Sequence, residues 1–472
     1  MRKTLALFVA AFSMLIAALI FGLPGGPDPS GPIEAPVQTP PIAPPSAHAQ
    51  ATAHLGQIVT LDAALHGDYL FAQQRERVSL LMDLNAIPVE RGGRAPISVA
   101  VVIDRSGSMA GDKIRQVRRA AKTLVERLAD SDQIALVTYA SDYAVDLPLT
   151  PIGGQRARIT RIIDDILDGG GTNLAGGMQA GLDALAKAQG APVRRLILLS
   201  DGNANQGITD PTSIAEIAAS ARQKGITIST LGVGLDFNED LMTLVAQSGA
   251  GGYYYARNAT AVAAAFEKEL TGLVALAART VEVGLELKPG VTVAEVYGYR
   301  TEMRGGRLVI PVGDMASQEK RRIMVQLDVN PTEAGPVGIG DVVLSYRNAA
   351  NQDVREHRAA LSMVATASHD EVASGFRSHV AEAFEQAQAA QAREAAATQL
   401  IAGDRDAAIA RVRASVKRLS ERNAKLKSDK LQQQIDEIND VLVDFEDVDL
   451  ASDAAKDLVK SEKLRARQVF VY

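Results

Sequence analysis

The chain has no cysteine and no tryptophan, and aromatic residues make up only 4% of its 472 residues. The lack of cysteine excludes disulfides, thiolate metal sites and cysteine nucleophiles, but it leaves the redox compartment undetermined. The few aromatic side chains disfavour a stacking platform for single-stranded nucleic acid. The formal net charge of −6 also lacks the basic surplus that a phosphate backbone requires. These absences argue against a nucleic-acid-binding protein.

Basic residues are missing from a long N-terminal stretch, because no Lys or Arg occurs between Lys3 and Arg75. Residues 4–23 are uncharged and about as long as a bilayer is thick, which predicts a signal peptide or membrane anchor within residues 1–23. The sequence Ala47-His48-Ala49 has the form of a signal peptidase site, so cleavage is the alternative to a retained anchor. The positive-inside rule predicts export of the remaining chain to the periplasm or the cell surface.

The length, with 47% hydrophobic and 22% charged residues, predicts two to four globular domains after this segment. Proline-rich residues 24–54 predict an extended linker. Short apolar runs predict strands at 55–95 and 278–366, which we interpret as two parts of one β-sandwich domain. The α/β domain at 96–277 would then be an insertion. Apolar residues spaced by three and four predict an α-helical region at 367–472.

Near-continuous apolar runs alternate with amphipathic helices between residues 96 and 277. The runs are ISVAVVI (97–103), IALVTY (134–139), RLILLS (195–200) and ITISTLGV (226–233). Parallel strands covered by helices on both faces have this composition. The alternation therefore predicts an α/β fold with a doubly wound, mainly parallel sheet. We expect Asp112 to cap the first helix and Gly225 to end the helix before ITISTLGV.

Acidic and hydroxyl residues directly follow these strands or open a helix. They are Asp104, Ser106 and Ser108 in IDRSGSM, Asp201 in LSDGNAN and Thr172 in the glycine loop GGGTNL. Ligands of open parallel sheets bind at the carboxyl ends of the strands. Two neighbouring aspartates repel each other, and a divalent cation turns that repulsion into attraction. Oxygen ligands favour Mg²⁺, with Mn²⁺ and Ca²⁺ as alternatives, over Zn²⁺ or Cu²⁺.

Other interpretations of these residues are weaker. Any one of the Ser, Thr and Asp residues alone is more typical of a helix cap or turn. The glycines at 169–171 are not followed by the Lys-Ser/Thr pair of a phosphate-binding P-loop. We interpret Gly176, Gly177 and Gly181 as allowing close helix packing. All six histidines lie outside the α/β domain, so Ser106 and Ser108 lack a partner base for nucleophilic catalysis. We therefore predict that the protein is not an enzyme.

The motifs D-R-S-G-S-M at 104–109, T at 172 and S-D-G at 200–202 resemble the metal-ion-dependent adhesion site of von Willebrand factor type A domains. With the flanking strands and YYYA at 253–256, the chain is similar to bacterial secreted relatives of inter-alpha-trypsin inhibitor heavy chains and calcium-activated chloride channel regulators. The resemblance implies an intact site whose coordinating residues are Asp104, Ser106, Ser108, Thr172 and Asp201. It also implies that an Asp or Glu carboxylate of a protein partner completes the shell of the cation.

These features predict an extracytoplasmic, cation-dependent protein-binding protein that acts in adhesion or as a scaffold. The alternative is a structural or assembly factor whose C-terminal helices make the main contacts, while the metal only stabilises the α/β domain. The adhesive members of the family that this chain resembles imply that the helix from about Ala259 to Leu276 shifts between two positions when a partner binds, and its few apolar anchors are compatible with this. The alternative is a small-residue helix that simply packs closely.

Overall fold

The structure is a computed structural model that describes residues 49–88, 96–188 and 193–470. The predicted signal peptide or anchor at 1–23 lies outside the described residues, as does most of the linker at 24–54. Within the described ranges, no helix is both long enough and apolar enough to span a membrane.

Four strands precede the α/β domain. They are β1 (Thr52–Gly56), β2 (Val59–Leu65), β3 (Tyr69–Phe71) and β4 (Glu76–Ala86). In β2, Val59, Leu61, Ala63 and Leu65 are buried while the residues between them are partly or fully exposed. Because side chains alternate across a strand, this pattern directs one face of β2 toward a core. β2 pairs antiparallel with both β1 and β4.

The α/β domain follows with strands and helices in alternation. Its elements are β5 (Ile97–Asp104), α1 (Asp112–Arg127), β6 (Gln133–Tyr139), β7 (Tyr143–Pro151), α2 (Arg156–Asp164), α3 (Leu174–Ala186), β8 (Val193–Ser200), α4 (Pro211–Gln223), β9 (Ile226–Val233), α5 (Glu239–Ser248), β10 (Ala250–Ala256) and α6 (Ala259–Val274). The sheet order is β10-β9-β8-β5-β6-β7, and β7 alone pairs antiparallel. The predicted doubly wound, mainly parallel sheet is confirmed.

Both faces of this sheet are covered, which explains its apolar strands. Val99 and Val101 of β5 pack with α1, α2 and α6, whereas Ala100 and Val102 pack with α3, α4 and α5. A Cβ atom on Gly177 of α3 would lie 2.5 Å from the ring of the buried Tyr139. The glycine therefore lets α3 approach the sheet closely, as predicted.

The structure confirms one of the two predicted helix ends and differs from the other. Gly225 takes a positive φ of 73°, and its N–H donates to Arg222 O (2.8 Å), so it ends α4 as predicted. Asp112 is the first residue of α1 and not its cap, because Gly111 occupies the cap position without a side-chain hydrogen bond. Gly111 has a positive φ of 78°, which favours glycine over aspartate. Asp112 instead places its charge in the first turn, where the helix dipole favours it.

Seven strands follow the α/β domain and form a sandwich with the first four. They are β11 (Leu276–Leu287), β12 (Val291–Tyr297), β13 (Glu302–Arg304), β14 (Arg307–Ala316), β15 (Lys320–Val329), β16 (Gly335–Asn348) and β17 (Val354–Thr366). One sheet has the order β1-β2-β4-β15-β12 and the other β13-β14-β11-β16-β17-β3. A single apolar core lies between the two sheets. β4 pairs with β15, so the α/β domain is inserted into one sandwich.

The C-terminal region is helical. It comprises α7 (His369–Ser374), α8 (Ser378–Ile401), α9 (Arg405–Leu426), α10 (Asp429–Asp447) and α11 (Asp453–Gln468). The last helix, α11, packs on α8, where the buried Arg393 Nη2 lies 2.6 Å from Glu462 Oε2. α11 also reaches the α/β domain, where Lys463 Nζ donates to Asp240 Oδ1 at 2.9 Å. The C-terminal region is thus fixed to the domain that carries the candidate site.

Candidate metal centre

Asp104 and Asp201 meet at the carboxyl edge of the parallel sheet. β5 and β8 are hydrogen-bonded neighbours, and each aspartate lies at or directly after the end of one of these strands. Both carboxylates are 0% exposed. The N–H of Ser106 donates to Asp104 Oδ1 at 2.8 Å, and Ser200 Oγ donates to Asp104 Oδ2 at 2.9 Å. The strand register therefore brings two buried negative charges to one point.

Two serine hydroxyls connect these carboxylates. Ser108 Oγ donates to Asp201 Oδ1 at 2.7 Å, and Ser106 Oγ lies 3.1 Å from Ser108 Oγ. Ser106 is buried, whereas Ser108 is exposed. The oxygen atoms thus form one group that starts in the interior at Asp104 and reaches solvent at Ser108.

Thr172 joins the group from the glycine loop. Its N–H donates to Asn205 Oδ1 at 2.8 Å, and its carbonyl accepts from the Asn205 N–H at 3.1 Å. A Cβ atom on Gly202 would lie 3.6 Å from Ser108 Oγ and 3.8 Å from Thr172 Oγ1. Both hydroxyls therefore border the same small space. The structure brings together all five residues that the sequence singled out.

The glycine loop is held against the Asp104 loop by backbone hydrogen bonds. The N–H of Gly107 donates to Gly170 O at 3.1 Å, and the N–H of Gly169 donates to Arg105 O at 2.7 Å. Gly169 and Gly170 have positive φ angles of 146° and 94°. L-residues rarely adopt such angles, so these glycines allow the bend that places Thr172 at the site.

The site has an excess of buried negative charge. Burial is the largest cause that raises the pKa of Asp104, the charge of Asp201 raises it further, and hydrogen bonds from Ser106 and Ser200 oppose the shift. Two carboxylates and three hydroxyls are hard oxygen donors that fit Mg²⁺. No cluster of three or more acidic, His or Cys side chains is placed to hold a metal within the described ranges. A cation held by these five residues would therefore depend on the hydroxyl oxygens as well as the carboxylates.

Lys113 is a charged neighbour that the sequence analysis missed. It lies in the first turn of α1, and its Nζ is 2.5 Å from Asp201 Oδ2 and 3.2 Å from Ser108 O. Lys113 lies outside the loops of the two aspartates, so the sequence of those loops does not reveal it. The helix that follows the Asp104 loop starts beside the site, so its first turn places Lys113 next to Asp201. The position of Lys113 five residues after Ser108 is the feature of the sequence that could have indicated this contact.

We expect Lys113→Gln to lower the Kd for Mg²⁺ by about tenfold, equivalent to ~1.4 kcal/mol. The substitution removes a positive charge that lies beside a candidate ligand and repels a bound cation. Calorimetric titration of the full chain measures the change. Lys122→Gln is the matched control, because Lys122 belongs to the same helix but pairs with Asp164. Unchanged or weaker binding in Lys113→Gln would show that Lys113 does not compete with the cation.

The family of the α/β domain follows from comparison with known proteins. Residues 98–268 match the von Willebrand factor type A domain, so the chain contains a domain of this family, as the sequence predicted. Domains of this family often mediate metal-dependent protein interactions.

Individual proteins resemble parts of the chain. The uncharacterized protein YfbK of Escherichia coli (strain K12) is 31% identical over 248 residues, which are 50% of this chain and 42% of YfbK. Inter-alpha-trypsin inhibitor heavy chain H3 of Rattus norvegicus is 30% identical over 168 residues, which are 33% of this chain and 18% of H3. The predicted similarity to these heavy chains is confirmed, although this chain spans less than two thirds of either relative.

A solved structure, the von Willebrand factor type A protein from Catenulispora acidiphila, is similar over more of the chain. It has a TM-score of 0.65 at 20% identity and covers 79% of this chain and 89% of its own. The similarity therefore extends beyond residues 98–268 and shows that the two proteins share a fold.

Proposed function

We propose that this protein binds other proteins outside the cytoplasm and that binding depends on one divalent cation. Mg²⁺ is the preferred ion. The cation would be held by Asp104, Ser106, Ser108, Thr172 and Asp201. It would act as an electrostatic bridge to an Asp or Glu carboxylate of the partner, in an adhesive or scaffolding role. The observation that carries the proposal is the pair of fully buried carboxylates joined by serine hydroxyls at the sheet edge.

The direction in which the site opens supports a role in binding. Gly107 and Ser108 are exposed, while Asp104 and Asp201 are buried beneath them. A partner carboxylate could therefore approach the cation from solvent on the Ser108 side. The aspartates could hold the metal from below without being reached by the partner. This arrangement leaves the outer ligand to the partner, which makes protein binding conditional on the metal.

A binding role is also favoured over catalysis by the neighbours of the serines. Ser106 Oγ contacts Ser108 Oγ, and Ser108 Oγ donates to Asp201. No histidine occurs between residues 97 and 276. A serine nucleophile is most often activated by a neighbouring histidine base, and the α/β domain contains none. The extracytoplasmic location rests on the absence of basic residues between Lys3 and Arg75 and on the apolar run at 4–23.

The experiment is capture of partners by the immobilised full-length protein from the extracytoplasmic fraction of its own cells. We expect a partner that is retained with Mg²⁺, released by chelator and retained again when Mg²⁺ is restored. The variant Asp104→Asn should not retain it at the Mg²⁺ concentration that is sufficient for the wild type. Acidic residues of the captured partner can then be replaced one at a time, and one replacement should abolish retention.

Partners that are retained despite chelator and in Asp104→Asn would contradict the metal-bridged contact. If removal of residues 367–472 then released them, the alternative of an assembly factor that binds through its C-terminal helices would replace the proposal. Release by chelator in both the wild type and Asp104→Asn would place the required metal on the partner instead.

A further inference from the structure

A second cleft lies at the opposite end of the parallel sheet from the candidate metal centre. It has a volume of about 830 Å³, and it is bordered by the start of β8, the turn between α4 and β9, and the strands β11, β14 and β16. Arg194 lies near the start of β8, whereas Asp201 follows the end of that strand. The cleft therefore separates the α/β domain from the β-sandwich and shares no residue with the metal centre.

Basic side chains dominate the lining of this cleft, and they fall into two groups. Arg222 and Arg304 are neutralised, because both form ion pairs with Glu282 and Glu302. The second group has no ion pair within the described ranges and consists of Arg194, Lys224, Arg279 and Arg347. The α/β domain contributes the first two of these residues and the sandwich contributes the other two.

The arginines of the second group use backbone or amide oxygens as acceptors. Arg194 donates to the carbonyl of Lys224, and Arg347 Nη1 donates to Gln352 O at 2.8 Å. Arg279 Nη1 donates to Gln352 Oε1 at 3.3 Å, and Nη2 donates to Gly225 O at 3.4 Å. Neutral acceptors at these lengths satisfy guanidinium N–H groups without neutralising their charge.

Arg279 is the buried member of the second group, because it is only 6% exposed. Its Nε has no hydrogen-bond partner among the described residues. Burial lowers the pKa of Arg279, the charge of Asp314 opposes this shift, and the charges of Arg194 and Arg347 add to it. A buried cation without a hydrogen-bonded counter-charge is costly to the fold. An anion bound in the cleft would therefore stabilise Arg279.

The nearby carboxylate of Asp314 is already engaged. Its Oδ2 accepts from Arg195 Nη2 at 3.1 Å and from Thr227 Oγ1 at 3.2 Å, and its Oδ1 accepts from the N–H of Thr280 at 3.1 Å. Residues 189–192, which follow Ala188 in the chain, are Gln, Gly, Ala and Pro and so contain no carboxylate.

We propose that this cleft binds a small multivalent oxyanion, of the phosphate or polycarboxylate class, between Arg194, Arg279 and Arg347. A guanidinium presents a planar fork of N–H donors that matches the paired oxygens of both ligand classes. The cleft volume suits a small molecule, and the net charge of −6 disfavours a nucleic acid. Because Arg194 belongs to the α/β domain and the other two to the sandwich, the bound anion ties the two domains together.

The test uses the full chain, stripped of metal beforehand and dialysed into a metal-free and chelator-free buffer of constant ionic strength, so that the anions cannot act by removing metal. Calorimetry with pyrophosphate and with citrate should give saturable binding of at least one of them at millimolar or lower concentration. A preference of about tenfold for pyrophosphate assigns the phosphate class, and the reverse preference assigns the polycarboxylate class. No saturable binding of either anion would overturn the proposal.

Variants locate the binding. Arg194→Gln and Arg347→Gln should each weaken anion binding by about tenfold, whereas Arg413→Gln, which alters an arginine of α9, should have no effect. Without ligand, both cleft variants should melt at or above the wild-type temperature, because they relieve repulsion around Arg279. With ligand, the melting temperature should rise in the wild type and much less in the variants. A lower ligand-free melting temperature with unchanged anion binding would show that these arginines are merely structural.

Discussion

Replacing Asp104 by asparagine is expected to raise the Kd for Mg²⁺ by about 100-fold or more, equivalent to ~2.7 kcal/mol. Asparagine keeps the shape of the side chain and can still accept from the Ser106 N–H and contact the Ser200 hydroxyl. It removes the negative charge that would attract the cation. The fold should therefore persist, because a buried charge close to Asp201 has been replaced by a neutral amide.

Two measurements separate loss of binding from loss of folding. Calorimetry gives the Kd directly, and thermal unfolding shows whether Mg²⁺ still raises the melting temperature, as a ligand specific to the folded state must. Asp142→Asn is the matched control, because Asp142 is an exposed carboxylate after the neighbouring strand β6. Undiminished Mg²⁺ binding in Asp104→Asn, or equal losses in both variants, would refute the assigned ligand set.

Replacing Arg195 by methionine is expected to lower the free energy of unfolding by about 3–5 kcal/mol. Arg195 Nη2 lies 3.1 Å from Asp314 Oδ2, and its Nε lies 3.3 Å from Glu269 Oε1. All three side chains are buried. Methionine has a similar length but leaves two carboxylates in the interior without a cation. Because Asp314 belongs to β14 and Glu269 to α6, the loss should also weaken the junction between the α/β domain and the sandwich.

Urea denaturation measures this loss, and a second pair provides the scale. Arg127 of α1 forms an ion pair with Glu267 of α6, with 2.9 Å between Nη2 and Oε1, but both side chains are more than half exposed. Arg127→Met should therefore cost less than ~1 kcal/mol. Adding Glu269→Gln and Asp314→Asn to Arg195→Met should recover part of the lost stability, since it removes the uncompensated charges. Equal costs for the buried and exposed arginines would show that this network does not hold the junction.

The positions of Asp104 and Asp201 could be predicted because two simple patterns coincide, whereas the full set of five site residues was implied by the family resemblance. Strands buried on both faces are recognisable as apolar runs, and the carboxyl ends of neighbouring parallel strands must lie at one sheet edge. Asp104 and Asp201 follow such strands, so their proximity required no knowledge of other contacts. Lys113 reaches the site through the return of α1, and sequence spacing within the loops does not reveal such a contact.

Helix α11 lies within the predicted α-helical region at 367–472, but the sequence does not reveal which of its faces is buried. Half of its buried positions are charged: Lys460, Glu462 and Lys463. Glu462 pairs with Arg393 and Lys463 pairs with Asp240, while Lys460 Nζ lies 3.7 Å from the centroid of the Phe237 ring. Periodicity methods assume that the buried face of a helix is apolar. A helix whose buried positions are half charged therefore gives only a weak periodic signal in the sequence.

Helix α6 also has a buried charged residue that its apolar spacing does not reveal, and this residue affects whether the helix can shift. Its few apolar anchors, including Phe266, Leu270 and Leu273, led to the expectation that it can shift. The structure adds Glu269, which accepts from Ser229 Oγ at 2.8 Å and from Tyr254 OH at 2.7 Å in the interior. A shift of α6 would have to break these bonds together with the contact to Arg195. Any partner that drives such a shift must supply enough differential affinity to offset that loss.

The insertion of the α/β domain between β4 and β11 has a consequence for synthesis of the chain. β4 pairs with β15, which leaves the ribosome only after the whole α/β domain has been made. Until β15 has been synthesised, β4 therefore has an unpaired edge, and an unpaired strand edge is prone to aggregation. The α/β domain depends mainly on its own strands and can fold during this interval. We therefore expect the inserted domain to become protease-resistant on stalled nascent chains before the sandwich that surrounds it in the sequence.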